Sequence, residues 1–192
     1  MPVPKWRWDQ GRLQYFSFGA LRSISRVLVQ LEGVSLHNED TDPLRRPLTE
    51  ATGLPFPPVD NPKYPVWRNF ARVFAAALLA TAVDDRLAPT DVARRLASDD
   101  EQAWNVDRYL CHLIPRFSFP SPAFSGYDAT SETVFPFCAL LKLLIAFVDD
   151  SEQQRISTED VFALIIGNNM TGIETLATYR AVSYTHLTLP TN

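Results

Sequence analysis

Apolar residues recur at helical spacing over much of the chain. Between Phe18 and Leu31, leucine and isoleucine return every three or four residues, and Gly33 follows where a helix would end. The same spacing predicts a second long helix over Val66–Ala80 and a more apolar one over about Thr133–Val148. The chain is therefore predicted to be mainly α-helical.

Shorter elements are predicted between these helices. Proline is tolerated in the first turn of a helix, so Pro47–Thr52 predicts a short helix that ends at Gly53. The stretch Ala82–Ala88 is short enough for a β-hairpin, or wing, with its turn at Asp84-Asp85. Thr90–Ala97 predicts a further helix, because threonine can accept a hydrogen bond from the exposed N–H groups of a first turn.

The second half of the chain contains further helix signals. Ser157-x-x-Asp160 and Thr171-x-x-Glu174 resemble capping boxes, which mark the starts of helices. Within the apolar stretch, five residues recur at helical spacing: Leu140, Leu141, Leu144, Ile145 and Val148. This spacing predicts that Leu144 is buried in the core of the second half.

The order of these elements predicts the domain organisation. Helix, helix, helix, hairpin and helix follow one another in the first half, which is the order of a winged helix-turn-helix. Residues 1–97 are therefore predicted to form a winged-helix-like, DNA-binding domain, and residues 98–180 a separate helical domain. The predicted fold class is mainly α, with one small β-hairpin.

Charge is distributed unevenly along the chain. Residues 1–97 carry 13 Lys+Arg and 10 Asp+Glu, whereas residues 98–192 carry 5 and 12. A basic first half permits nucleic-acid binding without requiring it. The longest apolar run, Val134–Val148, contains Lys142 and is shorter than the roughly 20 residues that span a bilayer. With no secretion signal at the N-terminus, we expect a cytoplasmic protein without a membrane partner.

Six residues are the candidates for DNA contact. The predicted helix Val66–Ala80 would present Arg68, Asn69 and Arg72 together, and a major groove admits a helix of this kind. The wing would add Arg86, and Arg45 and Arg46 would contact phosphates. The alternative is that these arginines only keep a helical domain soluble.

Four stretches carry a family resemblance: KWRWDQGRLQYF (Lys5–Phe16), DPLRRPLTEATGLPF (Asp42–Phe56), VWRNFARVF (Val66–Phe74) and IGNNMTGIE (Ile166–Glu174). They are similar to N-terminal regions of prokaryotic restriction-endonuclease-like defence proteins. The resemblance implies that a winged-helix-type region reads duplex DNA and that a nuclease domain follows it.

The catalytic chemistry of such a protein is not visible in this chain. Neither a PD-x(n)-(D/E)-x-K pattern nor an HNH pattern occurs, so no catalytic residue is assigned and enzymatic activity is left open. Cys111 and His112 are adjacent and Cys138 is distant, so no pair has zinc-ligand spacing. We expect no metal or cofactor in this segment, whereas Mg²⁺ would belong to a nuclease domain beyond Arg180.

The last residues have a different origin in our interpretation. Val182–Thr191 (VSYTHLTLPT) resembles the translation of a transposase end sequence and primer site used in sequencing libraries. The native protein is then expected to continue beyond Arg180 with another sequence. Residues 181–192 should extend away from the fold or pack loosely, since they have no evolved partners.

A second functional interpretation needs no nucleic acid. The acidic second half and the apolar helix over Val134–Val148 are also typical of a helical protein-interaction or regulatory module. That helix would then serve as a surface for a protein partner, and self-association into a homo-oligomer stays open.

Overall fold

A computed structural model describes residues 14–36, 42–57, 64–100, 104–118, 133–150 and 156–188. Most of these residues are helical, which confirms the predicted fold class. The elements are α1 (Phe18–Gln30), α2 (Arg45–Thr52), α3 (Val66–Ala76), β1 (Ala80–Val83), β2 (Arg86–Pro89), α4 (Asp91–Ala97), α5 (Val106–Leu113), α6 (Pro136–Asp150), α7 (Thr158–Val161), a π-helical segment (Phe162–Ile166) and α8 (Leu176–Thr188).

The chain divides into two compact units. The winged unit is formed mainly by Asp9–Leu113, and the C-terminal unit mainly by Ile114–Pro122 and Gly126–Asn192. Helix α5 packs with the first unit, and the predicted domain boundary at 97/98 stays a prediction. The buried Tyr109 hydroxyl of α5 donates to the carbonyl of Ala77 at 3.1 Å.

An aromatic cluster forms part of the winged unit's core. Tyr15, Phe56 and Phe70 are almost fully buried, and their ring centroids lie 4.9–5.0 Å apart. The Tyr15 hydroxyl donates to the carbonyl of Pro55, so its polar end is satisfied. The cluster connects the start of the described chain to α3, whose orientation determines the candidate site.

The predicted hairpin is confirmed. Strands β1 and β2 pair antiparallel with Val83 opposite Arg86, and the loop between them is Asp84-Asp85. Both aspartates have positive φ, 48° and 58°. Positive φ at both loop positions defines a type I′ turn, whose twist matches that of the paired strands.

The residues that follow α1 also pair with β2, through one isolated bridge that was not predicted. Ser35 forms a bridge with Arg86, and the N–H of Gly33 donates to the carbonyl of Leu87 at 2.8 Å. The N–H of Leu87 in turn donates to the carbonyl of Val34 at 3.0 Å. The segment that follows α1 thus pairs with β2. The connection from α2 to α3 spans residues 53–65, whereas about 3–4 residues join the two helices of a helix-turn-helix.

The C-terminal unit has its core where α6, α8 and the π-helical segment meet. Its buried residues are Ala139, Leu143, Ala146, Phe147, Leu164, Ile165, Met170 and Tyr179. The prediction that Leu144 is buried is wrong: Leu144 is 38% exposed, whereas Leu143 is fully buried. Because α6 is apolar on most of its circumference, spacing alone cannot identify the face that packs.

The expected looseness of the tail is also wrong where its side chains are described. Helix α8 continues through Arg180 to Thr188 without a break. Ser183 is fully buried, and Val182 packs against the core. A helix that has started gains one hydrogen bond for each residue it adds, so α8 extends into the last residues. Side chains after Ser183 and residues 189–192 lie outside the described part, and the proposed origin of the tail stays a prediction.

Glu174 organises the turn before α8. Its carboxylate accepts from the backbone N–H and the hydroxyl of Thr171 at 2.7 and 2.6 Å, and from the N–H of Gly172 at 2.8 Å. Burial opposes ionisation, but these hydrogen bonds outweigh it and lower the pKa of Glu174 to about 2. Thr171-x-x-Glu174, which was predicted to start a helix, therefore forms a turn that ends before α8. The helix is capped by Thr175, whose side chain accepts from the N–H of Thr178 at 3.3 Å.

This carboxylate makes the stability of the C-terminal unit depend on pH. The folded-state pKa of about 2 lies below the usual 4.5, so the stabilisation is complete above pH 4.5 and lost as the pH falls towards 2. Because solvent screens a partly exposed group, we expect a contribution on the order of 1–2 kcal/mol. Urea unfolding of Glu174→Gln should show this loss at pH 7 and little difference from wild type near pH 2. Glu159→Gln, an exposed carboxylate in α7, is the control, and an equal loss in both variants would contradict the prediction.

Candidate nucleic-acid interface

Helix α3 presents one face to the core and the opposite face to solvent. Val66, Phe70 and Phe74 are at most 1% exposed. Arg68 and Arg72 are exposed and lie one helical turn apart. This arrangement matches the prediction for both arginines, because the large aromatic residues determine how the helix is rotated.

Arg68 lies against an aromatic ring. Its guanidinium carbon is 5.0 Å from the centroid of Tyr64, which precedes α3. Cation–π contacts at exposed sites contribute about 0.5–1 kcal/mol. The contact limits the positions of the guanidinium while leaving its N–H donors available at the surface.

Asn69 is placed differently from the two arginines. Its residue is partly buried, and its Nδ2 has no hydrogen-bond partner within the described part of the chain. A buried donor without a partner costs about 1–3 kcal/mol. The structure therefore does not present the Asn69 amide nitrogen on the solvent face that carries Arg68 and Arg72.

The two arginines of α2 differ from each other. Arg46 is exposed and pairs with Glu50 one turn later at 2.7 Å. Arg45 is only 15% exposed and pairs with Asp42 at 2.9 Å. The expected phosphate contact by Arg45 is thereby corrected to a role inside the unit, since its guanidinium also donates to the carbonyls of Phe56 and Tyr64.

The wing carries a positive charge on its strand β2 and two negative charges at its tip. Arg86 is exposed in β2, and its guanidinium donates to the carbonyl of Gly33 at 2.8 Å. Asp84 and Asp85 are exposed at the tip. The sequence pattern identified this turn. Its two negative charges would repel the phosphates of a nucleic acid if the wing lies close to them.

A groove between α4 and α5 was not predicted. Its volume is about 530 Å³, and it is lined by Asp91, Val92, Arg95, Trp104, Asp107, Arg108, Cys111 and His112. The guanidinium of Arg95 lies 5.8 Å from the ring of Trp104. The lining residues come from α4, from α5 and from Trp104 just before α5, so no pattern within one helix indicated the groove.

Further observations concern metals, membranes and relatives. Within the described ranges, no three His, Cys, Asp or Glu side chains come together as a metal-binding group. None of the helices in the described part of the chain combines the length and apolar composition needed to cross a bilayer. No protein-family model, no curated protein and no solved structure matches the chain.

Proposed function

We propose that the winged unit binds duplex DNA through α3. The observation that carries this proposal is the exposure of Arg68 and Arg72 on the helix face opposite Phe70 and Phe74. The major groove admits an α-helix, and arginine reaches both guanine edges and phosphates. The element order of a winged helix supports the same function, since α3 occupies the place of the recognition helix.

The proposal extends to the class of protein. The four stretches that resemble prokaryotic restriction-endonuclease-like defence proteins support a DNA-recognition segment of a restriction-type endonuclease. Nuclease chemistry, with Mg²⁺ as its cofactor, would then belong to a further domain, and the protein would act in a prokaryotic cytoplasm. No residue of the present chain is assigned a catalytic role.

Salt dependence is the direct test of DNA binding. Each phosphate that the protein neutralises contributes about −0.9 to the slope of log affinity against log salt concentration. We expect mixed-sequence duplex to bind at low salt. As the salt concentration rises, the affinity should fall with a log–log slope of about −2 or steeper. Absence of binding at 20–50 mM salt (about the range where such contacts are strongest) would contradict the proposal.

The acidic wing tip leads to a further prediction. Asp84 and Asp85 would repel phosphates if the wing approaches the duplex, so their removal should strengthen binding. The double variant Asp84→Asn, Asp85→Gly also provides the Asn-Gly pair that a type I′ turn favours, so folding should be preserved. We expect duplex affinity to rise about 3–10-fold at low salt, measured by fluorescence anisotropy.

A matched control changes the same charge elsewhere in the winged unit. Asp99→Asn with Asp100→Asn removes two exposed carboxylates after α4. A similar gain in affinity from both double variants would show a general effect of net charge. No gain from the wing variant would place the tip away from the phosphates in the complex.

The second candidate function is a protein-interaction module, for which α6 provides a specific observation. Four of its apolar residues are 38–63% exposed: Leu141, Leu144, Ile145 and Val148. Contiguous apolar surface of this kind is typical of a binding surface. Size-exclusion chromatography over a concentration series tests this function, and Leu144→Asp with Val148→Asp should abolish any self-association that depends on α6.

A further inference from the structure

Asp42 and Arg45 form a largely buried ion pair where α2 begins. Their nitrogen and oxygen atoms lie 2.9 Å apart, and the two side chains are 9% and 15% exposed. The Arg45 guanidinium also donates to the carbonyl of Phe56 and, at 2.9 Å, to that of Tyr64. A planar guanidinium is suited to several partners at once, because its donors project in a rigid fork.

The Asp42 carboxylate holds the beginnings of two helices. One oxygen accepts from the N–H of Leu44 at 3.2 Å, next to the start of α2. The other accepts from the N–H of Val66, the first residue of α3, at 2.8 Å. A negative charge at a helix N-terminus is favourable because unpaired N–H groups point towards it.

These contacts substitute for a short helix-turn-helix connection. The chain from α2 to α3 covers residues 53–65, which is longer than the roughly 3–4-residue turn of a helix-turn-helix. Arg45 fixes this connection at Phe56 and Tyr64, and Asp42 fixes its end at Val66. The pair therefore contacts the backbone on both sides of residues 58–63 and at the first residue of α3.

The same contacts extend to the surface of α3. Arg45 holds the backbone of Tyr64, and the ring of Tyr64 lies 5.0 Å from the Arg68 guanidinium. We infer that Asp42 and Arg45 are positioning residues that set α3 and Arg68 for contact with duplex DNA. This inference rests on the proposed DNA binding, and it assigns Arg45 an effect on affinity that acts through Arg68.

Direct contact between Arg45 and a phosphate is the competing explanation. Burial argues against it, because the guanidinium is 15% exposed and already bonded to a carboxylate and two carbonyls. The two explanations differ in their dependence on Arg68. A positioning residue loses its effect when the side chain that it positions is removed, whereas a phosphate contact does not.

The test compares Arg45→Lys with Arg46→Lys, a matched substitution at the neighbouring exposed arginine. At a temperature where both variants are folded, Arg45→Lys should weaken duplex binding about 5–20-fold and Arg46→Lys less than about 2-fold. In an Arg68→Ala background, Arg45→Lys should weaken binding by only about 2–4-fold, with the remaining effect acting through Arg72 on the same helix. Additive effects of the two substitutions would overturn the inference.

A second measurement does not depend on DNA. Hydrogen exchange at the Val66 amide should accelerate in Arg45→Lys and in a second variant, Asp42→Asn. It should stay unchanged in Arg46→Lys. Unchanged exchange in both Arg45→Lys and Asp42→Asn would overturn the inference even if duplex binds. If the wild-type protein fails to bind duplex, the proposed function is overturned and the positioning of Arg68 for DNA falls with it. The Val66 exchange then still decides whether the pair fixes α3.

Discussion

Leu143→Ala should lower the free energy of unfolding of the C-terminal unit by about 2–5 kcal/mol, whereas Leu144→Ala should lower it by less than about 1 kcal/mol. Leu143 is fully buried in the core against α8 and the π-helical segment, and Leu144 is 38% exposed. Removing a buried leucine side chain costs both transfer free energy and a cavity.

The two substitutions control for each other. They make the same chemical change at adjacent positions of α6, so differences in helix propensity cancel. Urea denaturation followed by circular dichroism gives both values, provided that the transition of the C-terminal unit is resolved. Equal destabilisation would mean that α6 is covered on both faces in solution, which would favour the protein-interaction function.

This pair of residues also shows what the sequence could predict. The pattern correctly indicated a helix that includes both leucines, because a run of apolar residues with few breaks is typical of a core helix. It could not select the buried face, because the exposed Leu141, Leu144, Ile145 and Val148 repeat with the same period as the residues that pack. The face is selected by the partner helices, which lie later in the chain.

Turn chemistry was informative in the winged unit. Asp84-Asp85 identified the hairpin correctly, because aspartate tolerates left-handed backbone and few residues separate the strands. The bridge between Ser35 and Arg86 gave no local signal, since a single bridge leaves no alternating pattern. Strand pairing between distant segments depends on the fold that brings them together.

The residues of the candidate site also differ in how far the sequence could place them. Arg68 and Arg72 were placed correctly because Phe70 and Phe74 on the same helix determine which face is buried. Arg45 was wrongly assigned to phosphate contact, because the partners that it bonds to lie outside α2 and no pattern within the helix indicates them. Two of those partners, the Phe56 and Tyr64 carbonyls, are 11 and 19 positions further along the chain.

Replacing both exposed arginines of α3 should have the largest effect on function. Arg68→Ala with Arg72→Ala should weaken duplex binding by about 100-fold or more, since each arginine that contacts a base contributes about 1–3 kcal/mol. The melting temperature should change little, because both side chains are exposed and alanine has a high helix propensity. Fluorescence anisotropy with labelled duplex and a thermal melt measure the two quantities separately.

Two further variants identify what the arginines do. Arg108→Ala removes an exposed arginine from α5 of the same unit, and its affinity should stay within about 2-fold of wild type if α3 is the contact surface. Arg68→Lys with Arg72→Lys keeps the positive charge but loses the bidentate fork that fits guanine. If the lysine variant binds mixed duplex normally but no longer discriminates between sequences, the arginines read bases. If the alanine variant binds duplex like wild type, α3 is not the DNA-contacting helix.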